Sequence, residues 1–192
     1  MDISAVDICN QALDVLGEKN FIASFDDGTA IANLCKRVYP LARNIVLEAH
    51  DWNCAISRET LAQLTETPDS GYSYQYQLPI SPLCLRVLEM TNVQDAEYRI
   101  EGDRLLTDED ECSIRYIKEQ TDTTKYSPKL IQLMAYKVAE MIAYNITGDR
   151  STENAMKQTY EYHLSEAKGL DNVEGQQPDP DEKNTWIEAG RS

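Results

Sequence analysis

The sequence predicts an α+β fold: an antiparallel helical bundle drawn from both ends of the chain, an inserted antiparallel β-sheet or small sandwich, and a flexible C-terminal tail. Three observations lead there. Apolar residues recur at steps of three and four near both ends of the chain. Between them, short alternating stretches follow one another with no helical pattern among them, as in an antiparallel sheet. From Asp171 the composition turns to Gly, Gln, Pro, Asp and Glu, with too little apolar content to fold alone. The expected divisions are 1–52 with 127–170 for the helical bundle, 53–126 for the β subdomain and 171–192 for the acidic tail.

In chain order, Val6, Cys9, Ala12, Leu13 and Leu16 share one helical face over about Ser4 to Leu16, and Gly17 stands where a left-handed cap belongs. Phe21, Ile22 and Phe25 are expected to bury their side chains in the crossing of the first two helices. The stretch from Thr29 to Trp52 organises the rest, because Ile31, Leu34, Val38, Leu41, Ile45, Ala49 and Trp52 lay one apolar stripe along a helix. Asp26 and Asp27, followed by Gly28 and Thr29, are placed to offer side-chain oxygens to its first-turn amides, and Pro40 is expected to kink it.

After Trp52 the period shortens. Asn53 to Leu64 alternates as a strand, and Thr65 to Gly71 is turn chemistry. Tyr72, Tyr74 and Tyr76 alternate with Ser73, Gln75 and Gln77, which puts the three rings on one strand face. Leu85 to Val93 is a further strand, Tyr98 to Thr107 a hairpin turning at Gly102, and Cys112 to Lys118 another strand. Ser127 and Pro128 open a helix carrying Ile131, Met134, Val138, Met141, Ile142 and Ile146, which Gly148 closes. A last helix starts at Ser151 or Thr152, with Met156, Tyr160, His163, Ala167 and Leu170 on its apolar side. The tail then brings Trp186 and Ile187 late in a polar stretch. Trp186 has two readings: folding back onto its own domain, or anchoring in a pocket of another subunit.

A net charge of -15 disfavours binding to phosphate backbones or anionic membranes, where affinity comes from Lys and Arg. The absence of a long apolar run or a basic leader predicts a soluble chain made in the cytosol. Five scattered cysteines without a CxxC pair are expected to be reduced, mostly buried small hydrophobes. His50 and His163 are the two histidines, read as a helix-end residue and a core or edge residue. The run Asp108-Glu109-Asp110-Glu111 lacks the ligand spacing of a calcium loop and reads as a solvated turn. No catalytic, cofactor-binding or metal set emerges, so an enzyme is not expected.

Taken in order, ICNQALDVLG, SFDDGTAIANLCKRVYPLARNIVLEAHDWNCAISR, YSYQYQLP, IEGDRLLTD, SIRYI, IAYNITGD and the terminal TWIEAGR resemble the tail tubular protein A family, the head-to-tail adaptors of short-tailed bacteriophages. The resemblance implies a virion protein of the neck, held in the host cytoplasm before assembly. It implies a ring of twelve copies between a portal protein and a tail nozzle protein, with DNA passing through unbound. A subunit with a helical part and a β part is also implied. Under this resemblance Trp186, Ile187 and Arg191, with Tyr72, Tyr74 and Tyr76, are the portal or neighbour contacts. Gly190 and Ser192 flank Arg191 where the family pattern would have an Arg-rich end. A second reading, of a different class, is an acidic DNA-mimic regulatory protein that presents carboxylates in place of phosphates.

Overall fold

The computed structural model describes residues 3–69 and 71–175. Among them are four α-helices and two small antiparallel sheets, an α+β arrangement. Helix α1 spans Ala5–Val15 because Ser4 and Asp7 close both sides of a capping box. The Asp7 amide donates to Ser4 Oγ at 3.1 Å, and the Ser4 amide donates to Asp7 Oδ2 at 2.8 Å. It ends where Gly17 takes φ +77°, letting the Glu18 amide turn back to the Leu13 carbonyl at 3.0 Å. In the loop that follows, Asn10 acts as a substitute strand: its amide group donates to the Ile22 carbonyl and accepts from the Ile22 amide, each at 2.9 Å. Ile22 is buried there, and Phe25 tilts against Tyr39 with ring centroids 6.1 Å apart. Phe21 departs from the expectation. It is 57% exposed, since Ile22 already fills the space between the helices.

Helix α2 is Ala30–Glu48, shorter at its end than the apolar pattern suggested. Thr29 is its cap, accepting from the Ala32 amide at 3.1 Å. Asp27 instead closes the preceding turn by accepting from the Ala23 and Ser24 amides, and Asp26 pairs with Lys36. Pro40 lies inside the helix on its exposed side. The buried face is Ala32, Cys35, Val38, Tyr39, Ala42, Arg43, Val46 and Leu47, rotated from the predicted stripe. Ala32, Cys35 and Ala42 are small, and small side chains let α2 approach α3 closely; the bulkier Ile31 and Leu34 sit half-buried at the edge and Leu41 is 55% exposed. Trp52 lies beyond the helix yet is buried, donating its indole N–H back to the Val46 carbonyl at 2.7 Å.

The β part contains six strands: β1 Ile56–Thr60, β2 Tyr74–Gln77, β3 Cys84–Met90, β4 Tyr98–Glu101, β5 Arg104–Thr107 and β6 Ser113–Lys118. One sheet has the order β1-β6-β3 and the other β2-β5-β4. In β6, Ile117 faces the helical core, whereas Ile114 and Tyr116 face a second core with Tyr76, Leu105 and Met90. The first sheet is therefore a middle layer, with helices on one side and the second sheet on the other. Gly102 at φ +62° makes the β4–β5 turn.

Helix α3 is Pro128–Thr147, capped by Ser127, which accepts from the Leu130 amide at 3.2 Å, and stopped by Gly148 at φ +69°. It is the central helix, touching α1, α2 and the last helix. Helix α4 is Arg150–Gly175, opened by Asp149, whose carboxylate accepts from the Ser151 amide at 2.9 Å. Tyr160 and Ala167 are buried on it, and Met156 and His163 half-buried; the side chain of Leu170 lies outside the described set. The helix runs past the expected boundary at 170, because Asp171 has partners: its carboxylate accepts from the Asn53 amide at 3.3 Å, and its carbonyl from the Asn53 side chain at 3.0 Å.

Candidate functional site

The tyrosines of the predicted contact strand separate. Tyr76 is 1% exposed, deep in the second core, and donates its hydroxyl to the Glu109 carbonyl at 2.9 Å; burial pushes its phenol above the ordinary value. Tyr74 is half-buried against the same core. Tyr72 precedes β2 and lines a depression of about 330 Å³ with Pro68, Asp69, Arg99 and Arg104. The three rings thus do not make one contact surface: the inner side of the second sheet has to be covered, and Tyr74 and Tyr76 cover it. Its outer side holds a residue that alternation alone placed in solvent. Gln75 is buried, donating to the Glu66 carbonyl at 2.8 Å and accepting from Arg104 Nη1 at 3.1 Å, because the segment before β2 folds across it.

On the helical side, α2 has two apolar faces. The inner one packs on α3. The outer one carries Ile31, Leu34, Leu41 and Ile45, and its first turns border a groove of about 260 Å³ lined by Ala30, Ile31, Leu34, Arg37, Asn145 and Ile146. Beside it Tyr144 is 47% exposed, with the Arg150 guanidinium 4.8 Å from its ring centre. A second exposed apolar feature is the turn before β3, where Ile80 and Leu83 flank a cis Ser81–Pro82 bond. The turn escaped the sequence reading, which did name the stripe of Ile31, Leu34, Leu41 and Ile45 but took it for the inner face of α2. For α2 the signal was present: 32, 35, 39, 42 and 46 repeat at steps of three and four as well as 31, 34, 38, 41 and 45.

Several titratable groups are engaged in structure. His50 lies at the end of α2, its Nε2 3.4 Å from Asp171 Oδ2 and its ring edge-on to Trp52. His163 stacks on Tyr136 with centroids 4.7 Å apart and holds Glu166 at 3.0 Å. Arg43 is buried and meets Glu119 and Asn44 where the helices join the first sheet. Burial pushes the nearby Tyr39 phenol up to about 12, with the Arg43 charge opposing. Cys9, Cys35 and Cys112 are buried and Cys54 and Cys84 half-buried, all as free thiols; burial pushes the last three up to about 11. In the acidic run, Asp108 accepts from the Ser73 amide and hydroxyl, each at 2.8 Å, tying the turn to the start of β2. Among the described residues no group of three or more His, Cys, Asp and Glu is placed to hold a metal ion, and no helix is long and apolar enough to cross a membrane.

Trp186, Ile187 and Arg191 lie outside the described residues. The chain matches no protein-family model and no curated protein sequence.

Proposed function

We propose that this chain is a head-to-tail adaptor of a short-tailed bacteriophage, a virion neck protein that forms a ring, of twelve copies, between portal and tail nozzle. The observation that carries it is the ordered resemblance to the tail tubular protein A family, which runs from the first helix to the TWIEAGR segment. Two features of the fold support it. The subunit divides into a helical part and a β part, as the family resemblance implies. Its exposed apolar residues include Leu41 on the outer face of α2 and Ile80 and Leu83 in the turn before β3, two unlike regions, with Val15, Phe21, Ile100, Tyr144 and Tyr162 exposed elsewhere. A closed ring of identical subunits needs two different surfaces that meet head to tail.

In this role Trp186, Ile187 and Arg191 supply the contact with the portal. The acidity keeps passing DNA from adhering to the wall, since attraction is what slows sliding. The DNA-mimic reading has less support. A mimic needs unopposed rows of carboxylates, yet Asp26, Asp51 and Glu89 are paired with Lys36, Arg86 and Arg115.

The test is to mix the purified protein with the portal of its virion and weigh the product by native mass spectrometry. A complex of fixed stoichiometry is expected, with the protein alone monomeric. Absence of any complex, or a product without defined stoichiometry, overturns the proposal.

A further inference from the structure

We infer that the free edge of β4 pairs antiparallel with β4 of a second copy, about a two-fold axis at Ile100, so that the β2-β5-β4 sheets of two subunits join into one. β4 stands at the end of that strand order, and among the described residues no backbone hydrogen bond outside the strand ladders uses Tyr98 or Ile100. Arg99, Ile100 and Glu101 are exposed. Ile100 is 41% exposed although it sits on the inner side of the sheet, paired with the buried Leu105.

The phase of the backbone selects the centre. On β2 the Gln75 carbonyl accepts from the Leu64 amide at 2.9 Å and the Gln77 amide donates to the Ala62 carbonyl at 3.3 Å, so both residues bond away from β5. Bonding alternates along an antiparallel strand. Tyr74 and Tyr76 therefore bond to Thr107 and Leu105, Arg104 and Leu106 bond to Glu101 and Arg99, and the amides and carbonyls of Tyr98 and Ile100 are left pointing outward. Centred on Ile100, two copies of β4 exchange these groups, Ile100 with Ile100 and Tyr98 with Gly102 of the second copy.

The side chains select the same centre. The two Ile100 side chains cover each other on the inner side. On the outer side each Arg99 stands opposite a Glu101, at the non-hydrogen-bonded positions where side chains lie closest. A shift of the centre by one residue, to Arg99 or Glu101, sets like charges opposite each other and turns the wrong backbone groups inward. Within one subunit Arg99 Nε lies 3.4 Å from Glu101 Oε1, with both side chains more than half in solvent, so the two are free to exchange partners across the axis.

The contact ends after two copies, because the pairing consumes both β4 edges. Four residues a side bury far less than the roughly 800 Å² per partner of a standard interface, so the subunit is monomeric at micromolar concentration and pairs only when concentrated. Being two-fold, the contact is distinct from the head-to-tail contact of a ring and does not rest on the adaptor proposal.

The experiment is sedimentation equilibrium of the full chain in about 0.15 M salt, which screens the repulsion between two chains of net charge -15. Dimer should make up half of the protein at a concentration between ~0.1 and ~1 mM. Arg99→Glu alone and Glu101→Arg alone, each shown by circular dichroism to keep its fold, set like charges opposite each other twice and should weaken the dimer about tenfold. An equimolar mixture of the two variants should recover it, since both cross-strand pairs of the mixed dimer again unite opposite charges. If either variant does not fold, Ile100→Asp, which sets two like charges on the axis, takes their place and should abolish the dimer. A wild-type chain that stays monomeric at ~1 mM, a dimer that survives any of these folded variants, or a mixture that fails to recover the dimer overturns the inference.

Discussion

The guanidinium of Arg43 is nearly out of water, and Glu119 and Asn44 are what satisfy it there. A buried cation deprived of its carboxylate loses more than the pair itself contributes, because the remaining charge stays desolvated. Glu119 keeps about a quarter of its side chain in solvent, which moderates the effect. Glu119→Gln should therefore lower stability by about 1–3 kcal/mol in urea unfolding, and Arg43→Met combined with it should restore part of the loss. An unchanged midpoint in the single variant would show that the pair contributes nothing net. Trp52 is the other decisive side chain. With its ring buried and its N–H bonded to Val46, Trp52→Ala should cost about 3–5 kcal/mol by the same measurement. The sequence marks Trp52 as core. It does not mark Arg43, because charged residues are read as surface and Glu119 is 76 positions away.

Helix ends were legible because capping is local: Ser4, Thr29, Ser127, Gly17 and Gly148 act within a few residues of where they stand. Helix faces were less so. Periodicity says that α2 has an apolar side but not which of two overlapping sides meets α3; that is decided by how closely Ala32, Cys35 and Ala42 let the helices approach. The strands beyond Trp52 were placed by alternation, while the split into two sheets depends on pairing between distant segments, such as Ile56 with Ile117. The caps carry a pH dependence. Hydrogen bonds from the Ser4 hydroxyl and amide hold the Asp7 carboxyl below its ordinary value of 3.8. The unfolded chain therefore binds this proton first as pH falls, so the stabilisation from Asp7 is complete above the ordinary value and is lost as pH drops through the folded one. Asp7→Ala should thus have a lower urea midpoint than wild type at pH 7, and the gap should close towards pH 3. A gap that is the same at both values would show that the ionised cap contributes nothing.

At the scale of the whole molecule, three layers leave apolar side chains at the surface, Leu41 on α2 and Ile80 and Leu83 before β3 among them, and the chain that continues beyond Gly175 carries the second tryptophan. Interfaces of this kind concentrate their energy in a few buried aromatic anchors surrounded by contacts of small individual effect. Under the adaptor proposal Trp186 is such an anchor, and none of the packing described within residues 3–175 depends on it. Removing Asp179 to Ser192 should accordingly leave the thermal unfolding of the domain within a few degrees of wild type while weakening association with the portal. Trp186→Ala should reproduce a large part of that effect, on the order of 2 kcal/mol or more per copy, read as the shift in portal concentration needed for half-maximal complex.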